Sequence, residues 1–488
     1  MGKAAERGVP GFLMQQTRRP LVEALKRCAG KGLTAFHTPG HLQGKAAPPA
    51  LRQWWGRPVF EADLTEVPGL DDLHAPSGAI RKAQDLAADL AGAGRTFFLV
   101  NGSTAGIHAM LLACAGPGDK VILPRTVHRA VVAALVLSGA EPVFLPVRRL
   151  DDFDIPLPPP EAVYRESLVR NPDARALFTV YPDYYGVAVD LAALAGVAHE
   201  HGLPLLADAA HGVLFGYRPE MPAGAVACGA DAVVESVHKR AGALTQAAWL
   251  HVQGNRLDRE RVGQALLLLT TTSPSYLLLA SLDAARRQLA LSGPRICRRQ
   301  VELAGDARQA LSRLPGVRVL SEVHGGYRID PTRLVLNFNQ AGISGPAAAG
   351  VMYRSGVAVE MADCRNVVVL LSSAHGARDV KRMVKAAEAA AAARGRRGTI
   401  CPRFPEAPPR RLTPREAWLA AAESVPVVKA PGRVSVEMVA VTPPGFPVLL
   451  PGEEVTHEVV SYLHAVRAAG LTVHGVADPE LKSLRVVR

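Results

Sequence analysis

Apolar and polar positions along this chain fall into two alternating registers. From Ala79 to Ala93, Ile80, Ala83, Leu86, Ala87 and Leu90 share one face at helical spacing. Helices are likewise predicted over Ile107–Cys114, Ala130–Leu137 and Leu191–His201. Between them lie short, largely apolar runs: Thr96–Val100, Lys120–Leu123, Pro142–Pro146, Ala176–Tyr181, Leu203–Ala207 and Asp231–Val234. Such runs read as buried strands. Strand and helix take turns, which predicts an α/β fold with a mostly parallel sheet.

The rest of the chain is read around that alternation. Residues 1–75 form an arm with one helix, opened by Pro20, carrying Leu21, Val22, Leu25 and Cys28 on a face, and ended by Gly30 and Gly32. Residues 76–294 form the large domain, in which 148–175, rich in Asp and Pro, read as a connection and 262–290 as helices. Residues 295–395 form a smaller α/β domain, with strands Val317–Leu320, Arg333–Asn339 and Val357–Ala362 and an Ala-rich helix to Ala393. An Arg- and Pro-rich linker spans 396–429. A C-terminal α/β unit, 430–488, contains a helix from His457 to Ala469.

Composition narrows the function classes. Of 488 residues, 48% are hydrophobic and 20% charged, enough for a large core. Six scattered cysteines without a CxxC pair point to reduced thiols in a cytosol rather than a disulfide framework or zinc site. The longest apolar region, Val131–Val147, is broken by Ser138, Gly139 and Glu141, so no membrane span is expected. Lys3, Glu6 and Arg7 argue against a secretory leader, and Glu6 against myristoylation of Gly2. The net charge of +12 invites nucleic acid, yet the arginines are dispersed and no nucleic-acid motif is present. His37 and His41 are four apart, but Pro39-Gly40 forbids the helix that would make them metal ligands; no metal is expected.

Four stretches carry candidate chemistry. Asn101-Gly102-Ser103-Thr104-Ala105-Gly106 lies between a strand and a helix, where N–H groups, the helix dipole and two hydroxyls make an anion cradle. It lacks the lysine of a nucleotide P-loop, so a single phosphate monoester fits better; the plainer reading is helix capping. His128 ends one strand, where a structural histidine is also common. Asp208 ends a strongly apolar strand, and a buried carboxylate needs a cation or donors. Lys239, beside His238, follows the strand Asp231–Val234, at the edge where open α/β sheets bind ligands. Pyridoxal phosphate needs this set: a phosphate cradle, a ring-stacking group, an Asp for the pyridine nitrogen, and a Schiff-base Lys. Acids at Glu61, Asp63, Glu66, Asp71 and Asp72, with no Lys or Arg among residues 61–72, would attract a cationic ligand or simply form a solvated, capping loop.

Longer stretches carry a resemblance. They are His37-Thr38-Pro39-Gly40-His41, Asp63-Leu64-Thr65-Glu66, Leu70-Asp71-Asp72-Leu73-His74, Asn101-Gly102-Ser103-Thr104 and Arg125-Thr126-Val127-His128. Further on come Ser236-Val237-His238-Lys239, Thr271-Thr272-Ser273-Pro274-Ser275-Tyr276, Pro443-Pro444-Gly445 and Pro451-Gly452-Glu453. Spread over residues 34–455, they make the chain resemble the bacterial Orn/Lys/Arg decarboxylase family, whose fold is aspartate-aminotransferase-like (fold type I). The resemblance implies a short form without the N-terminal receiver-like domain, working in the cytoplasm as a homodimer or higher homo-oligomer, with no membrane or nucleic-acid partner. It implies that Lys239 is the Schiff-base lysine, Asp208 faces the pyridine nitrogen and His128 stacks on the ring. Gly102, Ser103, Thr104, Ser236 and His238 would hold the phosphate, His211 would lie near the cofactor, and Ser273 would approach from a neighbouring subunit.

The expected reaction is α-decarboxylation of arginine, lysine or ornithine to a polyamine precursor, with Lys239 or His238 protonating Cα. Two departures bear on it: Ala209 stands where small family members usually carry Glu, and Asp183 where they carry Thr. Other fold type I reactions, such as transamination or carbon–carbon cleavage, remain open, as does a PLP-binding regulator, although no helix-turn-helix is found in the first 35 residues.

Overall fold

The apolar runs become strands because no side chain along them needs water. A computed structural model describes residues 15–393, 404–443 and 445–488. In chain order, the elements that matter for the site are α1 (Pro20–Ala29), α2 (Ala79–Ala91), β1 (Arg95–Leu99), α3 (Gly102–Cys114), β2 (Lys120–Pro124), α4 (Arg129–Ser138), β3 (Glu141–Leu145), β4 (Ala174–Val180), β5 (Leu205–Asp208), β6 (Ala232–Glu235), α5 (Val237–Arg240), β7 (Ala248–Val252) and α6 (Tyr276–Ser312). The chain divides into two units. The first holds Met1–Ala113, Leu206–Tyr217 and Ala223–Arg295; the second holds Cys114–Leu205, Arg218–Pro222 and Ile296–Arg488.

In the first unit, β7 pairs antiparallel with both β1 and β6, and β6 pairs parallel with β5. Strands β1, β6 and β5 therefore run the same way. Their carboxyl ends, Leu99, Glu235 and Asp208, share one edge: Leu99 lies opposite Ala248, Glu235 opposite Trp249, and Asp208 opposite Val234. Helix α3 packs very closely on this sheet. A Cβ on Gly106 would sit 2.7 Å from Val234 Cγ2 and 2.8 Å from Leu99 Cδ1, so only glycine fits. Helix α2 buries Ile80, Ala83, Ala87 and Leu90, as its periodicity predicts. Helix α1 buries Leu21, Ala24, Leu25 and Cys28, and Asp283 Oδ2 accepts from Leu21 N at 3.0 Å.

In the second unit, β2 pairs parallel with β3 and β4. Strands β8 (Arg333–Asn337) and β9 (Asn366–Leu370) pair antiparallel over a core that includes Leu334, Leu336, Val367 and Met383. The C-terminal segment packs Val439, Val448, Leu463 and Leu484 into a core of its own. Arg125 is tied to it by a buried ion pair: Nη2 donates to Glu453 Oε2 at 2.8 Å, and both side chains are 3% exposed. Burial pushes each group toward its neutral form, and the partner's charge and hydrogen bond oppose this. Leu450 N also donates to Glu453 Oε2. Replacing Glu453 by Ala strands the guanidinium, and is expected to cost about 3–5 kcal/mol, read as the urea midpoint shift at constant slope.

The structure departs from the sequence reading at several elements. Helix α3 begins at Gly102 rather than Ile107, so Ser103 and Thr104 lie in its first turn. The segment 148–175 is more than a connection: Arg148–Leu150 and Ile155–Leu157 form a hairpin, and Glu161–Arg170 is a helix. Of residues 357–362, only Met361–Ala362 is strand. The sequence reading also missed β7 and β9. Cys28, Cys114, Cys228 and Cys297 form no disulfide, whereas Cys364 is disulfide-bonded, a bridge that spacing alone does not reveal. The arm before residue 15, residues 394–403 with the start of the expected linker (Cys401 among them) and Pro444 lie outside the described residues. Among the described residues no helix is long and apolar enough to cross a membrane.

Candidate active site

The shared carboxyl edge of β1, β6 and β5 gathers most of the residues singled out from sequence. At the end of β6, Ser236 precedes the single helical turn α5, which carries His238 and Lys239. Lys239 N bonds to Ser236 O at 3.1 Å, closing the turn. At the end of β5, Ala209 N donates to Val234 O at 2.9 Å, which holds the Asp208–His211 turn against β6. The two turns meet: Lys239 Nζ lies 2.9 Å from His211 Nε2. With the lysine as ammonium, Nζ donates and His211 Nε2 accepts, which places the His211 proton on Nδ1.

Asp208 is buried, at 5% exposure, and its Oδ1 accepts from Ala210 N at 3.1 Å. Burial pushes its carboxyl above the usual range, while the charge of Lys239 and the Ala210 N–H pull it down. His238 is half-buried. Its Nδ1 lies 3.1 Å from Ala247 O, which can only accept, so Nδ1 carries the proton and Nε2 keeps its lone pair. Burial lowers the His238 pKa against the effect of that hydrogen bond, and Lys239 lowers it further, so the imidazole is neutral at neutral pH.

The phosphate cradle is stitched to the lysine turn through main-chain atoms. Gly102 N donates to Gln246 O at 2.8 Å, and the next carbonyl, Ala247 O, receives His238 N at 3.2 Å. Gly102 opens α3 with a φ of 70°, a left-handed conformation that favours glycine. Ser236 Oγ is fully buried and has no hydrogen-bond partner among the described residues. An orphaned buried hydroxyl, a buried carboxylate and a lysine beside the N-terminus of a thirteen-residue helix are what a phosphorylated pyridine aldehyde requires, so the residues present fit pyridoxal phosphate.

Ser273 is exposed, with its Oγ 3.1 Å from Thr271 Oγ1. Of the acidic segment, Asp71 is used up in capping α2: Oδ2 accepts from Gly78 N at 2.8 Å and Ile80 N at 2.9 Å. Asp63 pairs with His41 at 3.2 Å and Glu61 with Arg57 at 2.6 Å, which leaves Glu66 and Asp72 exposed. His128 belongs to the second unit, where it caps α4, its Nδ1 accepting from Ala130 N at 3.2 Å. Sequence reasoning missed the carbonyls of Gln246 and Ala247, because main-chain acceptors leave no mark in residue type.

Asp183, also in the second unit, is buried. Its Oδ1 accepts from Tyr185 N at 2.9 Å and Val187 N at 2.8 Å, while Oδ2 has no partner among the described residues. Burial raises its pKa to about 7, against the pull of these N–H groups and of Arg333. The folded value lies above the unfolded one, so stability is lost as pH rises from about 4 through about 7. Asp183→Asn keeps both Oδ1 bonds and removes the ionisation. Its stability relative to the native chain should rise by roughly 3 kcal/mol between about pH 5 and about pH 8, measured by urea unfolding at each pH. A pH-independent difference would contradict the buried carboxyl.

Comparison with known proteins identifies the family. Residues 19–325 match the Orn/Lys/Arg decarboxylase major domain, and residues 403–480 match the C-terminal domain of the same family. The chain is 37% identical over 484 residues to an arginine decarboxylase of Bacillus subtilis, covering 97% of this chain and 99% of that one. It is 35% identical to an arginine decarboxylase of Halalkalibacterium halodurans, covering 98% of this chain and 99% of the relative. The solved lysine decarboxylase LdcF of Francisella novicida superposes with a TM-score of 0.83 at 18% identity, over 97% of this chain and 81% of that one, and so shares the fold. The chain belongs to the Orn/Lys/Arg decarboxylase family and is a pyridoxal-phosphate-dependent decarboxylase of a basic amino acid with the fold type I architecture.

Proposed function

We propose that the substrate is arginine, converted to agmatine and carbon dioxide, and that the residues at the shared strand edge hold the cofactor and move the protons. The observation that carries the site assignment is the Lys239 Nζ–His211 Nε2 contact of 2.9 Å, beside buried Asp208. The choice of arginine is supported by near-full-length similarity to two arginine decarboxylases.

In this reading Lys239 Nζ attaches the cofactor aldehyde. Ser236 Oγ, Ser103, Thr104 and the first-turn N–H groups of α3, from Gly102 onward, hold its phosphate. The carboxylate of Asp208 would hold the ring nitrogen of the bound cofactor in its protonated form. When bound, the cofactor supplies the electron sink for the pair left by the departing carboxylate. Lys239 Nζ then returns a proton to the substrate Cα, with His211 Nε2 holding Nζ in place. His238 is the weaker proton donor, because it is neutral and its one ring proton is engaged by Ala247 O. The ring-stacking role of His128 and the contribution of Ser273 from a second subunit rest on the family alone. Work in the cytoplasm, a place in polyamine synthesis and a large-, small- and C-terminal-domain division at 76–294, 295–395 and 430–488 belong to the same reading. Assembly as a homodimer has further support from large apolar side chains at the surface of the first unit, such as Phe36 at 96% exposure and Trp54 at 79%.

Substrate choice is tested by kcat/KM for arginine, lysine and ornithine on the cofactor-loaded protein. Arginine should lead by at least ~10-fold, since a site built for a guanidinium leaves hydrogen-bonding groups unmet by a shorter or simpler head. A lead for lysine or ornithine would overturn the arginine assignment and leave the reaction class standing.

A further inference from the structure

A second cavity, of about 410 Å³, lies within the first unit on the sheet face opposite α3. The strand pleat creates it. Leu99 and Val234 point toward α3, so the alternate positions Phe98, Glu235, Trp249 and His251 point the other way. Glu235, Trp249 and His251 form the floor, and Leu90, Phe215 and Tyr217 are among the walls. No Lys or Arg among the described residues lines the cavity. Glu235, only 14% exposed, therefore faces an apolar and aromatic space in which His251 is its one basic neighbour among the described lining residues.

The polar atoms of the floor are under-used. His251 Nδ1 bonds to Thr96 Oγ1 at 2.7 Å, and its Nε2 lies 3.4 Å from Glu235 Oε2. His251 Nε2 and Trp249 Nε1 have no hydrogen-bond partner among the described residues, although these side chains are 1% and 3% exposed. A buried indole N–H without a partner is uncommon in folded proteins and points to a missing ligand or water. Nothing in the decarboxylation described above uses these groups.

We propose that this cavity is a second, non-catalytic site for a small organic cation with an ammonium or guanidinium head. Glu235 is the counter-ion, and the rings of Trp249, Phe215 and Tyr217 form the wall against which such a head is held. The indole N–H of Trp249 meets an acceptor on the ligand or a water that it retains. The volume suits a molecule of amino-acid size. The basic amino acid and its amine product both carry this head. That pair of sources rests on the decarboxylase reading; the cavity chemistry does not.

The test is calorimetric titration of the holoenzyme after borohydride reduction, which fixes the cofactor to the chain and stops turnover. Agmatine is titrated in one arm and L-arginine in the other, into the native chain, Glu235→Gln and Ala91→Phe. The last fills the cavity wall without touching its charge. Binding should weaken at least ~10-fold in both variants, as expected when a desolvated charge partner or the space itself is removed. Agmatine alone binding in this way identifies the product as the ligand, and arginine binding identifies the amino acid. Cofactor absorbance checks that the variants are folded. No binding by the native chain, or binding indifferent to both substitutions, overturns the proposal. Should the protein decarboxylate none of the three amino acids, variant-sensitive binding would still stand on its own.

Discussion

Lys239→Ala is expected to lower decarboxylation at least ~10³-fold and to abolish covalent attachment of the cofactor. The loss of a positioned proton donor alone accounts for 10²–10⁴-fold in typical enzymes, and Lys239 Nζ serves in addition as the attachment point. The surroundings explain why this lysine suits the task. It sits on one helical turn at the end of β6, beside the imidazole of His211 and within the field of Asp208. The measurement is single-turnover release of carbon dioxide, together with peptide mass analysis after borohydride reduction. The native chain should carry the cofactor on the Lys239 peptide. Retained turnover with a normal cofactor spectrum would sink the assignment.

Asp208→Asn is expected to cost about 10²–10³ in kcat, the range seen when a preorganised electrostatic partner is neutralised. The amide keeps the Oδ1 bond from Ala210 N, so the turn should survive. What it loses is the charge that holds the ring nitrogen protonated. KM should move little, because the interaction matters most when charge develops in the transition state. A variant with near-native kcat would show that the ring nitrogen is served by another group.

Much of this site was legible in the sequence because its residues sit at the ends of strands, and strands that are apolar throughout are easy to see. Asp208 and Lys239 follow such runs, and their parallel pairing brings the two turns together. The order of strands was not legible. Ala248–Val252 lies between β1 and β6 and runs against both, and an apolar run carries no mark of its direction. The start of α3 was misplaced because Ser103 and Thr104 read equally as loop and as first helical turn. The acidic segment looked like a substrate lure, whereas Asp71 is consumed by the N–H groups that open α2, a capping role that was the plainer alternative. The Glu235, Trp249 and His251 floor gave no signal at all. Its three residues become neighbours only through the register of β6 on β7.

The most direct test of the whole account is mass-spectrometric product analysis of the purified, cofactor-loaded protein with arginine, lysine and ornithine in parallel. An amine and carbon dioxide are expected in equal amounts, with agmatine from arginine dominant. A keto acid in place of the amine, or no product while the cofactor is attached to Lys239, would contradict that reading and turn attention to Asp183 and Ala209, two positions that the resemblance marks as unusual.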